Sequence, residues 1–175
     1  MKAAAIVLAW IALAHPDPSA LDRARFHAIA DGIAFEAART PLSVGADRTA
    51  LLLAAIAEHE GGLRESVRRC AVTGDQGRAV TLFQLHPEAL GGIPREVACS
   101  DDRVAARLAL AALRAGERVC HGDLRCAVRL YASGRRSDTK AAREIIALWK
   151  RLGERRGHGS GYRRRRFHFA SLSQP

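Results

Sequence analysis

The hydropathy pattern is dominated by one stretch with no polar position in it. Leu51, Leu52, Leu53, Ala54, Ala55, Ile56 and Ala57 follow one another without a break. At 3.6 residues per turn such a run is apolar around its whole circumference, which predicts a helix buried on most sides. Asp47 is its expected cap and Gly61-Gly62 its expected end. Glu58, His59 and Glu60 come just before those glycines, so the charges gather at the C-terminus.

The rest of the pattern is helical too. Ser19 caps an expected helix to about Arg39, with Leu21, Phe26, Ile29, Ile33 and Phe35 on its apolar side and Pro41 as its stop. Arg64 to about Cys70 fits a short helical turn, and Thr73-Gly74-Asp75-Gln76-Gly77 a turn or short hairpin. Ala79 to Leu90 reads as a helix carrying Leu82, Phe83 and Leu85, broken by Gly91-Gly92-Ile93-Pro94. Asp101 caps an amphipathic helix with Val104, Leu108, Ala111 and Leu113 inside and Arg103, Arg107 and Arg114 outside. Gly116 is its expected terminator. A helix from about Asp123 to Ala132 ends near Ser133-Gly134. The last, Ser137 to Leu152, turns Ile145, Ile146, Leu148 and Trp149 inward. The expected class is mostly α, with at most a tiny β-hairpin near residues 70–80.

Composition agrees with that class. Aromatics make up 5% of the 175 residues, and Ala and Leu dominate, which favours helix over sheet. The opening MKAAAIVLAWIALAHPDPSA changes the picture of where the chain works. Lys2 precedes 12 apolar residues, Ala3 to Ala14, ending in Ala12-Leu13-Ala14 with Pro16 and Pro18 beyond. This is the pattern of a secretory signal peptide over residues 1–14, cut as late as residue 20. A buried first helix is the other reading. No later stretch is long enough to span a bilayer.

Four cysteines follow the signal, Cys70, Cys99, Cys120 and Cys126. An even count in an exported chain predicts two disulfides, with three pairings open. Cys120–Cys126, around His121-Gly122-Asp123, and Cys70–Cys99 are the favoured pair. Zinc is the rival reading, since His59, His86 and His121 lie near the cysteines, but neither a CxxC pair nor HExxH occurs. No metal or cofactor is expected.

Net charge is +10, unevenly spread. Residues 155–175 hold six arginines and no acid, leaving +4 on the rest. The tail, with Tyr162, Phe167 and Phe169 among its arginines, is expected to be mobile and to bind an anionic surface. In an exported protein that surface is expected to be cell wall rather than nucleic acid.

Candidate chemistry starts at Glu60. A carboxyl partly buried at a helix C-terminus sits where burial and the negative end of the helix dipole favour its protonated form. A proton held near neutral pH is what a general acid needs. Glu58, on another face, and His59 are both read as surface or structural residues. Downstream, Glu60-Gly61-Gly62-Leu63 is followed by Gly74-Asp75-Gln76-Gly77, Leu82-Phe83-Gln84-Leu85-His86-Pro87 and Leu130-Tyr131-Ala132-Ser133-Gly134.

This ordered set, spanning residues 47–134, resembles the lytic transglycosylases and goose-type lysozymes. Those enzymes share a lysozyme-like fold and cut peptidoglycan. Their pattern runs Glu-Ser-x-Phe, then Gly-Leu-Met-Gln-Leu-Met-Pro, then Ala-Tyr-Asn-Ala-Gly. The resemblance implies Glu60 as catalytic acid, Gln84 lining the sugar cleft, Phe83 packing beneath the substrate and Tyr131 steadying the acid. The goose-type enzymes add a Gly-Asp-x-Gly turn whose aspartate helps hold the attacking water. Asp75 stands at the matching distance, nine residues before Gln84. Departures from the pattern include Gly61 for Ser, Thr81 for Gly and Ala132 for Asn, the last a substrate-binding position.

The organisation expected is a signal at 1–14, a lysozyme-like catalytic domain at 19–154 and a tail at 155–175. The partner is peptidoglycan, met by a monomer in the periplasm or outside the cell. The competing reading is a basic module that binds glycan or another anionic polymer without cutting it.

Overall fold

The computed structural model describes residues 2–158, with side chains described through Glu154. Eight helices are present among them: α1 (Lys2–Ala14), α2 (Ala20–Arg39), α3 (Ala46–Gly61), α4 (Glu65–Arg68), α5 (Arg95–Ser100), α6 (Asp102–Val119), α7 (Leu124–Ser133) and α8 (Lys140–His158). The only pairing between extended residues described is two isolated antiparallel bridges, Gly74 with Ala79 and Val80 with Leu85. The chain is mostly α, as its pattern predicts.

α3 is the centre of the packing. Every residue from Ala50 to Ala57 is buried. α1, α2 and α8 surround it, and α6 touches it more lightly. α6 in turn packs on α2 and α7, and α7 on α8. Burying a Leu or Ile side chain contributes ~1.5–3 kcal/mol, so Leu51, Leu52, Leu53 and Ile56 account for much of the drive to assemble. Polar clasps fix the register. Trp149 Nε1 on α8 donates to the Arg48 carbonyl at 2.9 Å, while the Arg48 guanidinium lies over its ring.

The helix starts follow their caps. Ser19 and Asp22 form a reciprocal capping box on α2. Asp101 Oδ1 accepts from the Arg103 and Val104 amides, and Asp123 Oδ1 from those of Arg125 and Cys126. Asp47, expected as a cap, instead lies in the first turn of α3, whose N-cap is Gly45.

Other expectations are corrected. Leu21 and Phe35, assigned to the apolar side of α2, are exposed, and Phe35 carries the Arg103 guanidinium on its ring. Ala111 is exposed. Gly116 does not end α6; it lies inside it, where a Cβ would stand 3.2 Å from Ala127 Cα, so it lets α7 approach closely. Segment 79–90 is not a helix. Thr81 and Gln84 have φ of 66° and 47°, folding it into tight turns, and a 3₁₀ turn covers Pro87–Leu90. α8 runs beyond Leu152 to His158; the rest of the arginine tail lies outside the described residues.

Lys2–Ala14 packs as α1, with Ala3, Val7, Trp10 and Ile11 buried. No helix of the described residues is long and apolar enough to cross a membrane.

Both disulfides form, Cys70–Cys99 and Cys120–Cys126, which fits an oxidising, exported environment. The first does more than close a loop, because Cys70 Sγ also accepts the Thr81 amide at 3.3 Å. Replacing Cys70 and Cys99 together by Ser is expected to lower the unfolding free energy by roughly 3–4 kcal/mol, from loop closure alone. Urea melts of the two proteins measure the difference; equal midpoints contradict it.

Candidate active site

The C-terminus of α3 is closed by Gly62 in the left-handed conformation (φ 57°), its amide donating to the Glu58 carbonyl. The residue before it explains one departure from the family pattern. A Cβ on Gly61 would stand 2.9 Å from both the Leu82 carbonyl oxygen and its Cδ2. No side chain fits there, and the missing Cβ lets the end of α3 sit directly on the turn at Thr81–Gln84. Glu60, one residue earlier, is therefore held at that junction with 22% of its side chain exposed.

The turn beneath it is held from several sides. Thr81 is β-branched and adopts a left-handed φ, which costs about 1–3 kcal/mol. Its amide is taken by Cys70 Sγ, its hydroxyl accepts the Phe83 amide at 3.2 Å, and its carbonyl accepts Gln84 Nε2 at 3.0 Å. Gly74 makes room for the Gln84 carboxamide, because a Cβ there would collide with Gln84 Oε1. Gln84 is thus turned onto its own loop. Phe83 is 2% exposed and belongs to the core, so its ring is floor rather than cleft wall. What it offers outward is its carbonyl.

That carbonyl is where α7 meets the turn. Tyr131 OH donates to Phe83 O at 2.6 Å. Burial pushes the phenol's pKa well above 10.0, and the neighbouring Glu60 charge pushes the same way. Tyr131 is a neutral donor at any working pH, and it lies within reach of the Glu60 charge. The structure thus brings together Glu60, Tyr131 and the main chain of Phe83.

Asp75 stands elsewhere on the same loop. Its side chain is half exposed, in left-handed backbone, with His86 Nδ1 3.7 Å from its carboxylate. Glu58, read as structural, pairs with His15 at the end of α1.

Two residues gain significance that spacing alone did not give them. His59 Nδ1 lies 3.2 Å from Glu60 Oε1, and its Nε2 lies 3.0 Å from Glu144 Oε2 on α8. The hydrogen bond from His59 is the chief reason the Glu144 pKa is lowered, with Lys140 and Arg143 adding to it. The partner is 85 residues away, so only tertiary packing reveals it.

Among the described residues no group of three His, Cys, Asp or Glu side chains is placed to hold a metal ion. A groove of about 710 Å³, lined by Lys2, Asp31, Phe35, Arg39, Asp47 and Arg103, opens at the other end of α3. Fourteen residue steps, about 21 Å of helix, separate the start of α3 from Glu60. That groove has volume but lies far from this cluster.

Comparison of the chain with protein-family models, with curated proteins and with solved structures finds no match.

The raised phenol pKa has a consequence for stability. The folded chain binds the Tyr131 proton more tightly than the unfolded chain. Its contribution is whole below about pH 10 and is lost as pH rises through the folded value. Alkaline melts are therefore expected to show a steeper loss above pH 10 in the wild type than in Tyr131→Phe. At neutral pH that variant loses about 1 kcal/mol with its hydrogen bond. Parallel alkaline curves contradict the assignment.

Proposed function

We propose that this protein is an exported peptidoglycan-cleaving enzyme that acts on the MurNAc–GlcNAc β-1,4 bond with Glu60 as general acid. The observation that carries the reading is the meeting at one junction of a helix-end carboxyl, a partly buried neutral phenol and the Thr81–Gln84 turn. These are the segments on which the family resemblance rests. The two disulfides support an extracytoplasmic home, periplasmic or secreted.

Glycosidic cleavage needs a proton on the leaving oxygen while positive charge develops at the anomeric carbon. Glu60 supplies that proton, and Tyr131, locked on Phe83 O, keeps its surroundings rigid. The group that then attacks the anomeric carbon decides the product. If Asp75 orients a water, the product is a reducing sugar of inverted configuration. If the muramic 6-hydroxyl attacks instead, a 1,6-anhydro sugar forms and Glu60 takes back the proton. Asp75, half exposed and next to the Gln84 loop, favours the first course.

One observation favours the second reading, a non-catalytic basic module. Arg107, Arg114 and Arg118 are exposed on α6 at helical spacing, forming a basic stripe apart from Glu60. Such a module retains glycan in a salt-dependent way and releases nothing.

Purified sacculi incubated with the full chain, with mass spectrometry of the soluble muropeptides, separate these readings. Wild type is expected to release product and Glu60→Gln to be slower by about 100-fold or more. Reducing ends that vanish in Asp75→Asn identify hydrolysis; anhydro ends identify transglycosylation. Equal, nonzero release by wild type and Glu60→Gln contradicts the acid assignment.

A further inference from the structure

His59 is clamped between two carboxylates from different helices. Glu60, its neighbour on α3, faces Nδ1 at 3.2 Å, and Glu144 of α8 faces Nε2 at 3.0 Å. The ring is about one-fifth exposed. The charged surroundings are asymmetric. Lys140 lies 3.8 Å from Glu144 and Arg143 also acts on it, so Glu144 is held ionised. On the other side, the neutral Tyr131 phenol of α7 lies close enough to Glu60 to feel its charge. Glu58, two residues before Glu60, pairs with His15 just past the end of α1.

An ionised carboxylate can only accept, so Glu144 fixes a proton on Nε2. Nδ1 is then the nitrogen that exchanges, and it faces Glu60. An outer carboxylate that sets the tautomer of an imidazole, whose second nitrogen serves a reacting group, is a recurrent arrangement for moving protons.

We propose that His59 is a positioning and proton-relay residue for Glu60, anchored from outside by Glu144; the proposal rests on the glycosidase reading above. One proton is shared between Nδ1 and Glu60 Oε1. It passes from Nδ1 to Oε1, the N–H electron pair remaining on nitrogen, and then from Glu60 to the leaving glycosidic oxygen. As it arrives, the C–O bond breaks and its electron pair goes to that oxygen. The imidazole is left neutral, with Nε2–H on Glu144, and solvent restores the proton at the partly exposed ring. In the transglycosylase course the relay runs outward: the proton taken from the 6-hydroxyl leaves Glu60 through Nδ1.

The test is sacculus cleavage by full-length wild type, Glu60→Gln, His59→Gln and Glu144→Gln across pH 4–9, with circular dichroism melts alongside. Gln at position 59 can hydrogen-bond Glu60 but cannot carry a proton, so a merely structural role is rescued by it and a relay is not. Glu144 is half exposed, so its variant folds whatever becomes of the His59 variant. The expected result is kcat lowered about tenfold in both across that range, with KM unchanged. Wild-type profiles in both variants, with Glu60→Gln inert, overturn the relay and leave the glycosidase reading standing. A wild type without product, or an active Glu60→Gln, overturns both.

Discussion

Everything at the candidate site depends on how closely the end of α3 can approach the turn at Thr81–Gln84. The contact is made by the absence of a side chain: a Cβ on Gly61 would stand 2.9 Å from the Leu82 main chain. The turn in turn adopts left-handed backbone at Thr81 and Gln84, neither of them glycine. Such conformations persist where surrounding structure over-determines them. Here Cys70 Sγ, the Thr81 hydroxyl and the Gln84 side chain do so, and the Cys70–Cys99 disulfide ties the assembly to α5. A buried apolar helix, a strained turn and a crosslink meet at one point, and Glu60 is the charged residue at that point.

The consequence is a division of labour. α3 is rigid because it is apolar all round, so its last turn is a fixed platform. α7 brings the Tyr131 phenol to the same point and commits its hydrogen bond to Phe83 O, leaving the ring oriented. α8 contributes Glu144 from the opposite side through His59. Sites built on packed helices and braced by outer hydrogen bonds hold geometry better than sites built on loops. Asp75, on an exposed loop beside His86, lacks that bracing and is the freest member of the proposed set.

Much of this was legible in the chain. The uninterrupted run Leu51–Ala57 announced a central helix, and the Gly pair after Glu60 its end. Ser19, Asp101 and Asp123 marked helix starts because short polar side chains at those points satisfy free amides. The disulfide pairing followed from loop positions. The failures share a cause. Val80, Leu82, Phe83 and Leu85 are buried, and their spacing suits a helix. The bends that deny one come from positive φ at Thr81 and Gln84, residues that carry no local signal for it. Gly116 looked like a terminator because only α7 explains it. The His59–Glu144 contact, between distant helices, left no trace in spacing at all.

The claim at the centre is that a glycan strand is cut where α3 ends. It is tested most directly by a crystal structure of Glu60→Gln with a bound peptidoglycan tetrasaccharide. The account predicts a glycosidic oxygen within about 3 Å of the residue 60 side chain, with Tyr131 still bonded to Phe83 O. A glycan lying along the arginines of α6, with the end of α3 bare, contradicts it.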